Sequence, residues 1–232
     1  MVIDTNLLLD ALSAEILRKM AIERNALINP NSSLRFHHIL RHSRFDSGIR
    51  TFVPSTAREE FKSKITKNNS EFSPERALSL FSDNNHPINL ESYRETITPE
   101  ELENMHANIL SSFQDWEPEN NSEFLQEVAE QQTAVENFIT SHSEIYQRVT
   151  NYKAQRGAAD KRTEFEGASI YPEKGDLEIM RTAAYLAAST YPSIGSVIVA
   201  TRDSDFTLLA RALEETLGVG VAKNASELAQ WM

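Results

Sequence analysis

Val197-Ile198-Val199-Ala200-Thr201-Arg202-Asp203-Ser204-Asp205-Phe206 is the stretch that decides the fold. Its first four residues form a continuous apolar run of the buried kind, read as a central parallel strand. The chain then turns polar at once, and Ser204 or Asp205 is placed to cap a helix predicted over Phe206 to Leu217. Downstream, Val219-Gly220-Val221 reads as a last short strand and Ala225 to Trp231 as a last turn or two of helix. Upstream, Gly175 and Asp176 open a helix with apolar positions Leu177, Ile179, Met180, Ala183, Ala184 and Leu186.

The same alternation is legible at the start of the chain. Val2-Ile3 is a short apolar strand followed directly by Asp4, and Leu7, Leu8, Ala11, Leu12, Ile16, Leu17, Met20 and Ala21 predict a helix over about Asn6 to Asn25. Asn29 to Ser33 breaks it, and Leu34 to Arg44 reads as a second helix rich in His and Arg. Thr51-Phe52-Val53 reads as a buried strand closed by Pro54, with Ser55 as the N-cap of the next helix. Further helices are predicted from Ser73-Pro74-Glu75 to Phe81, from Thr98-Pro99-Glu100-Glu101 to Phe113, and along Asn120 to Thr150. Gly157 to Gly167 reads as a loop. No strand is expected between about residues 66 and 165. These elements predict a three-layer α/β/α domain with a small central parallel sheet, built from 1–65 and 170–232. An acidic, mostly α-helical insertion spans 66–169.

Composition narrows the class. The chain has 232 residues, 40% of them hydrophobic and 25% charged, enough to bury a sizeable core. The absence of Cys excludes a disulfide framework and thiolate metal sites. The start lacks a basic segment followed by an apolar one, which predicts a soluble, cytoplasmic protein. The net charge is −11. Glu71 to Glu166 holds 19 acidic against 7 basic side chains, a local balance of −12 that leaves the rest of the chain at +1. The acidic excess therefore sits in the middle, while Arg18, Lys19, Arg24, Arg35, Arg41, Arg44 and Arg50 precede it.

Four carboxylates occupy strand ends and helix starts: Asp4, Glu60, Asp176 and Asp203. In open parallel sheets, ligands collect beyond the carboxyl ends of the strands. Asp4 and Asp203 project from that edge, and a carboxylate directly after a buried strand needs a partner. Hard divalent cations take oxygen ligands, so a converging set would hold Mg²⁺ or Mn²⁺, one or two ions. A single acid at a helix start serves equally well as a cap, and for Asp205 both roles stand. Positions 38 and 42 of the group His37, His38 and His42 are one helical turn apart, but without a third ligand they suit a surface or RNA-facing role. Phe206, Trp116 and Trp231 read as packing residues.

Val2-Ile3-Asp4-Thr5-Asn6 resembles the opening of PIN-domain nucleases, and Val53-Pro54-Ser55-Thr56-Ala57-Arg58-Glu59-Glu60-Phe61 is similar to their second motif. Glu60 fits the phasing of that motif, one residue away from Glu59. Asp176, with Ile179 and Ala183 behind it, resembles the third motif. Thr201-Arg202-Asp203-Ser204-Asp205-Phe206 resembles the fourth. The resemblance covers roughly 1–65 and 170–232. It implies a metal-dependent endoribonuclease that cleaves by in-line attack of water and leaves a 5′-phosphate and a 3′-hydroxyl. Asp4, Asp176 and Asp203 would be metal ligands with Asp205 as an auxiliary one. Glu60 would hold a second ion or orient the water, and Thr5, Asn6 and Thr201 would support the ligands by hydrogen bonds. Thr5 and Asn6 also suit capping of the first helix.

Arg35, Arg41, Arg44 and Arg202 are the candidates for phosphate contact; Arg202 could equally pair with a carboxylate. The implied roles are a toxin with an antitoxin partner or an RNA-processing enzyme, in which a homodimer is one arrangement. The acidic insertion would dock a basic protein. The insertion departs from small toxin-type domains. Minimal protein-only RNase P homologues carry such a helical middle, but with a second Asp where this chain has Met180. Two alternatives remain: a structure-selective DNA nuclease of the flap type, and an inactive PIN-like module that binds RNA or protein.

Overall fold

The structure is a computed structural model. It describes residues 1–24, 49–82, 97–113, 126, 128–148, 164–165, 168–169, 172, 174–189 and 197–231. Arg35, Arg41, Arg44, the histidines at 37, 38 and 42, the helix expected at 34–44 and Trp116 lie outside the described residues. In chain order the elements are β1 (Val2–Ile3), α1 (Thr5–Arg24), α2 (Ser55–Ile65), β2 (Thr66–Lys67), β3 (Glu71–Phe72), α3 (Pro74–Ser82), α4 (Pro99–Ser112) and α5 (Gln132–Ser141). They continue with β4 (Glu164–Phe165), β5 (Ala168–Ser169), α6 (Lys174–Ser189), β6 (Val197–Ala200), α7 (Ser204–Thr207), α8 (Ala210–Leu217), β7 (Val219–Ala222) and α9 (Ala225–Gln230). The architecture is mixed α/β, mostly helical, with a small parallel sheet of three strands. No described helix is long and apolar enough to cross a membrane.

Packing groups the chain into two compact units, Met1–Asp4 with Glu117–Met232, and Thr5–Trp116. The first holds the parallel sheet in the order β1-β6-β7. Its centre is β6, as the apolar run at 197–200 requires: Ile198, Val199 and Ala200 are buried and both edges of the strand are paired. Val2 faces Val199 and Ile3 faces Ala200, while Val197 to Ala200 match Val219 to Ala222. Helix α6 packs on all three strands through an alanine-rich face, and α8 and α9 pack on β7. Gly218 ends α8 at φ 68, a left-handed conformation that favours glycine. At Gly220 an added Cβ would stand 2.9 Å from the indole of Trp231, which lies just past α9. Trp231 is thus a packing residue, and β7 needs a glycine beneath it.

The helix expected from Phe206 to Leu217 is in fact two. Leu209 N–H closes back on Phe206 O at 3.0 Å, an i→i+3 bond that tightens the turn and ends α7. The chain restarts with Leu209 at the cap of α8, burying Leu209 and Leu213 and leaving Leu208 58% exposed. The capping expectation is also corrected. The N-cap is Asp203, whose Oδ1 accepts from Asp205 N–H at 2.9 Å, not Ser204 or Asp205.

In the Thr5–Trp116 unit, α1 packs on α2 and α4. Thr98 and Glu101 form a reciprocal capping box on α4, with Pro99 in the first turn. Lys19 of α1 pairs with Glu101. Pro54, not Ser55, occupies the cap of α2; it has no side-chain donor or acceptor, and its carbonyl takes Arg58 N–H at 3.1 Å. Thr51, Phe52 and Val53 are buried as expected, but Phe52 alone makes a β-bridge and no strand forms there. Two small hairpins, β2-β3 and β4-β5, lie where no strand was expected. In the first, Asn68 and Asn69 take φ of 50 and 58, and Ser70 N–H bonds Lys67 O, the mirror-image turn that matches strand twist. Asparagine tolerates this conformation at little cost. Strands of two residues are too short to show a period.

His106 on α4 stacks on Phe61 (ring centroids 4.9 Å apart) and meets Phe72 edge-on at 5.3 Å. Burial, then the charges of Lys62 and Arg58, push its imidazole down to about 4 from 6.5. The folded state thus resists protonation that the unfolded chain accepts. The stabilisation is complete above pH 6.5 and is lost as pH falls toward about 4. We expect His106→Phe to flatten the fall in melting temperature across that window relative to wild type; an unchanged slope would assign the acid sensitivity elsewhere. Gly220→Ala should cost about 1–3 kcal/mol by overpacking. In a Trp231→Leu background the same change should cost less, measured by urea denaturation in a double-mutant cycle.

Candidate metal centre

The strand register builds the site. Because Ile3 pairs with Ala200, the next residues, Asp4 and Thr201, emerge side by side from the carboxyl ends of β1 and β6. Asp4 N–H bonds Ala200 O at 3.3 Å, and Thr201 N–H bonds Ala222 O at 3.1 Å, so both strands are pinned at their last turn. Thr201 Oγ1 donates to Asp4 Oδ2 at 2.6 Å and accepts from Asp203 N–H at 2.9 Å. One buried hydroxyl therefore satisfies a buried carboxylate and sets the start of the loop that carries Asp203. Asp203 then caps α7, which turns Asp205 inward to 1% exposure.

Asp176 comes from the first turn of α6, in the same compact unit. Asp176, Asp203 and Asp205 each offer a carboxylate oxygen, and these three atoms lie within 4.8 Å of one another. Two oxygens on one ion at 2.0–2.6 Å are at most about 4–5 Å apart. Three oxygens gathered this closely could hold a metal ion. The donors are all carboxylate oxygens, the set for Mg²⁺, Mn²⁺ or Ca²⁺ and not for a soft metal. Asp205, for which capping and ligation both stood open, thus joins the trio. Asp4 is not one of the three and is joined to Asp203 through Thr201. Arg202 lies exposed on the intervening turn.

Glu60 belongs to the Thr5–Trp116 unit. Its Oε2 accepts from Thr5 Oγ1 at 2.8 Å, and its Oε1 pairs with Lys64 at 2.7 Å. Glu59 is exposed, so Glu60 is the acid with a structural anchor. The Thr5 hydroxyl reaches Ala57 O as well, at 3.4 Å, and so ties α1 to α2. Asn6 is the second residue of α1.

Tyr146 lies within the segment Asn120 to Thr150, which the sequence predicts as helical. It is fully buried on the helical turn at 143–148. Burial first, and then the negative charges of Asp205 and Asp176, push its phenol far above the ordinary tyrosine range. No spacing rule in the sequence links residue 146 to 176 or 205.

Thr201→Val should cost about 1–3 kcal/mol, since a buried hydrogen bond to a carboxylate is lost, whereas Thr201→Ser should stay near wild type. Chemical denaturation of the two variants checks this. No protein-family model, no curated protein and no solved structure matches the chain.

Proposed function

We propose that the chain is a Mg²⁺- or Mn²⁺-dependent endoribonuclease of PIN-like architecture, with its sheet as the middle of three layers. The observation that carries this reading is the meeting of Asp176, Asp203 and Asp205 within 4.8 Å. Their position beyond the carboxyl ends of the parallel strands is where such folds place ligands. The order of the four acidic motifs supports the same reading.

In this proposal Asp176, Asp203 and Asp205 hold the ion, and Asp4 shapes the site's charge through Thr201. The bound ion would supply Lewis acidity to a phosphodiester oxygen and a lowered pKa for attacking water. The chain's own work is positional. Thr201 fixes the Asp203 loop, and Asp203 orients Asp205 by capping α7. Arg202, exposed on that turn, is the candidate for phosphate contact. The acidic segment within 66–169 would face a basic protein partner and not the nucleic acid.

Asp203→Asn separates charge from structure, because asparagine retains the capping acceptor. The variant should melt close to wild type yet lose at least about 100-fold in Mn²⁺-dependent cleavage of single-stranded RNA, the size of a lost charge-stabilising group. Parallel single-stranded and flap DNA substrates discriminate the DNA-nuclease alternative. Robust metal-independent cleavage, or full activity of the variant, would sink the assignment. Metal binding without cleavage of either polymer would favour a binding module.

A further inference from the structure

Among the described residues, Leu208 is the one large apolar side chain that is exposed. Asp203 caps α7, Asp205 lies in its first turn, and Leu208 closes the helix with helical dihedrals, φ −77 and ψ −18. Leu208 N–H bonds the carbonyl of Ser204 at 3.2 Å, and Ser204 is the residue between two of the three acids. Positions 205 and 208 are three apart, which makes them neighbours on a helical surface. A leucine on such a turn leans toward the helix N-terminus and covers the surface over the preceding turn, here Ser204 and Asp205. The core makes no use of this side chain, because the break after α7 buries Leu209 instead. All of these residues belong to one compact unit. Leu208 therefore stands beside the acidic trio.

We propose that Leu208 is a substrate-contacting residue, packing against an unstacked base of a single-stranded nucleic acid whose phosphate lies at the acidic trio. The inference rests on the nuclease reading above and deepens it, since it names the form of polymer the site accepts. A ligand drawn to a cation held by Asp176, Asp203 and Asp205 is anionic, and an exposed leucine adds nothing to phosphate binding. A nucleotide meets both demands, with a charged phosphate and, one sugar away, a flat ring whose face is apolar. Asp205 to Leu208 is roughly 4.5 Å along a helix axis, a short step for the base next to a bound phosphate. In a duplex the base faces are covered by stacking, and the leucine meets no ring. In an unpaired strand a base splays out and covers it.

Steady-state kinetics on the full chain test this. Wild type, Leu208→Ser and Leu208→Trp would be assayed with Mn²⁺ on an unstructured RNA oligomer. A tetrahydrofuran-phosphate oligomer of the same length, which keeps the phosphates and lacks the bases, would serve as competitive inhibitor. We expect Leu208→Ser to raise KM about three- to tenfold, the scale of one lost apolar contact, with kcat within about twofold. Its inhibition constant for the base-free oligomer should match wild type. Leu208→Trp should lower KM several-fold, because a base stacks more strongly on an aromatic ring. Unchanged KM in the variants, or an equal shift for RNA and base-free oligomer, would overturn the role of Leu208 and leave the nuclease reading standing. A sedimentation coefficient that drops in Leu208→Ser would assign the side chain to a contact between copies and overturn it too. Absence of Mn²⁺-dependent cleavage by wild type would overturn both readings. The two variants change KM in opposite directions, so a folding failure of one leaves the other to decide.

Discussion

The hydroxyl of Thr201 is the point on which the acidic site depends. It donates to Asp4 and accepts from the backbone of Asp203, so it joins the ends of two adjacent parallel strands and aims the loop that follows. That geometry exists only because β1 and β6 pair with Ile3 against Ala200. A slip of one residue would send Asp4 to the other face of the sheet and leave a buried carboxylate without its donor. The register in turn rests on the apolar run of β6, which is covered by α6 and flanked by both neighbouring strands. Hydrophobic burial sets the register, the register places two polar residues side by side, and their hydrogen bond organises the loop.

Charge is the second constraint. Asp205 is almost wholly buried and shares its neighbourhood with Asp176 and Asp203. Taking carboxylates out of water together is unfavourable unless donors or a cation compensate. The Asp203 carboxylate accepts from the backbone N–H of Asp205. The three carboxylates could hold a hard cation, the reading proposed above. The ion pair between Glu60 and Lys64 in the other unit is of a different kind. There a partly exposed acid is neutralised within one helix face, and its structural work is shared with Thr5.

Much of this was legible in the residues. The strands at Val2–Ile3, Val197–Ala200 and Val219–Ala222, the alanine-rich helix after Asp176 and the capping box at Thr98 all follow from local pattern. Asp203 follows the end of β6 and Asp176 lies in the first turn of α6. The departures have local causes. Ser55 resembles a cap but Pro54 takes that position, and a helix boundary one residue off is all that separates the two. The break at Leu208–Leu209 and the two-residue hairpins carry no periodic signal, since periodicity needs several turns or pairs to show. The Asn68-Asn69 pair was the one readable sign of the first hairpin.

Composition and motif order by themselves determined that acids would close the strand ends, that β6 would be central, and that the excess negative charge would lie mid-chain. These are properties of short segments, where burial, chain direction and capping act between near neighbours. Only the tertiary structure decided which acids meet. It gathered Asp205 with Asp176 and Asp203 and linked Asp4 to the Asp203 loop through Thr201. Residues tens of positions apart become neighbours through helix packing and strand register. That free energy is spread over many apolar contacts, and no short segment of the sequence records it.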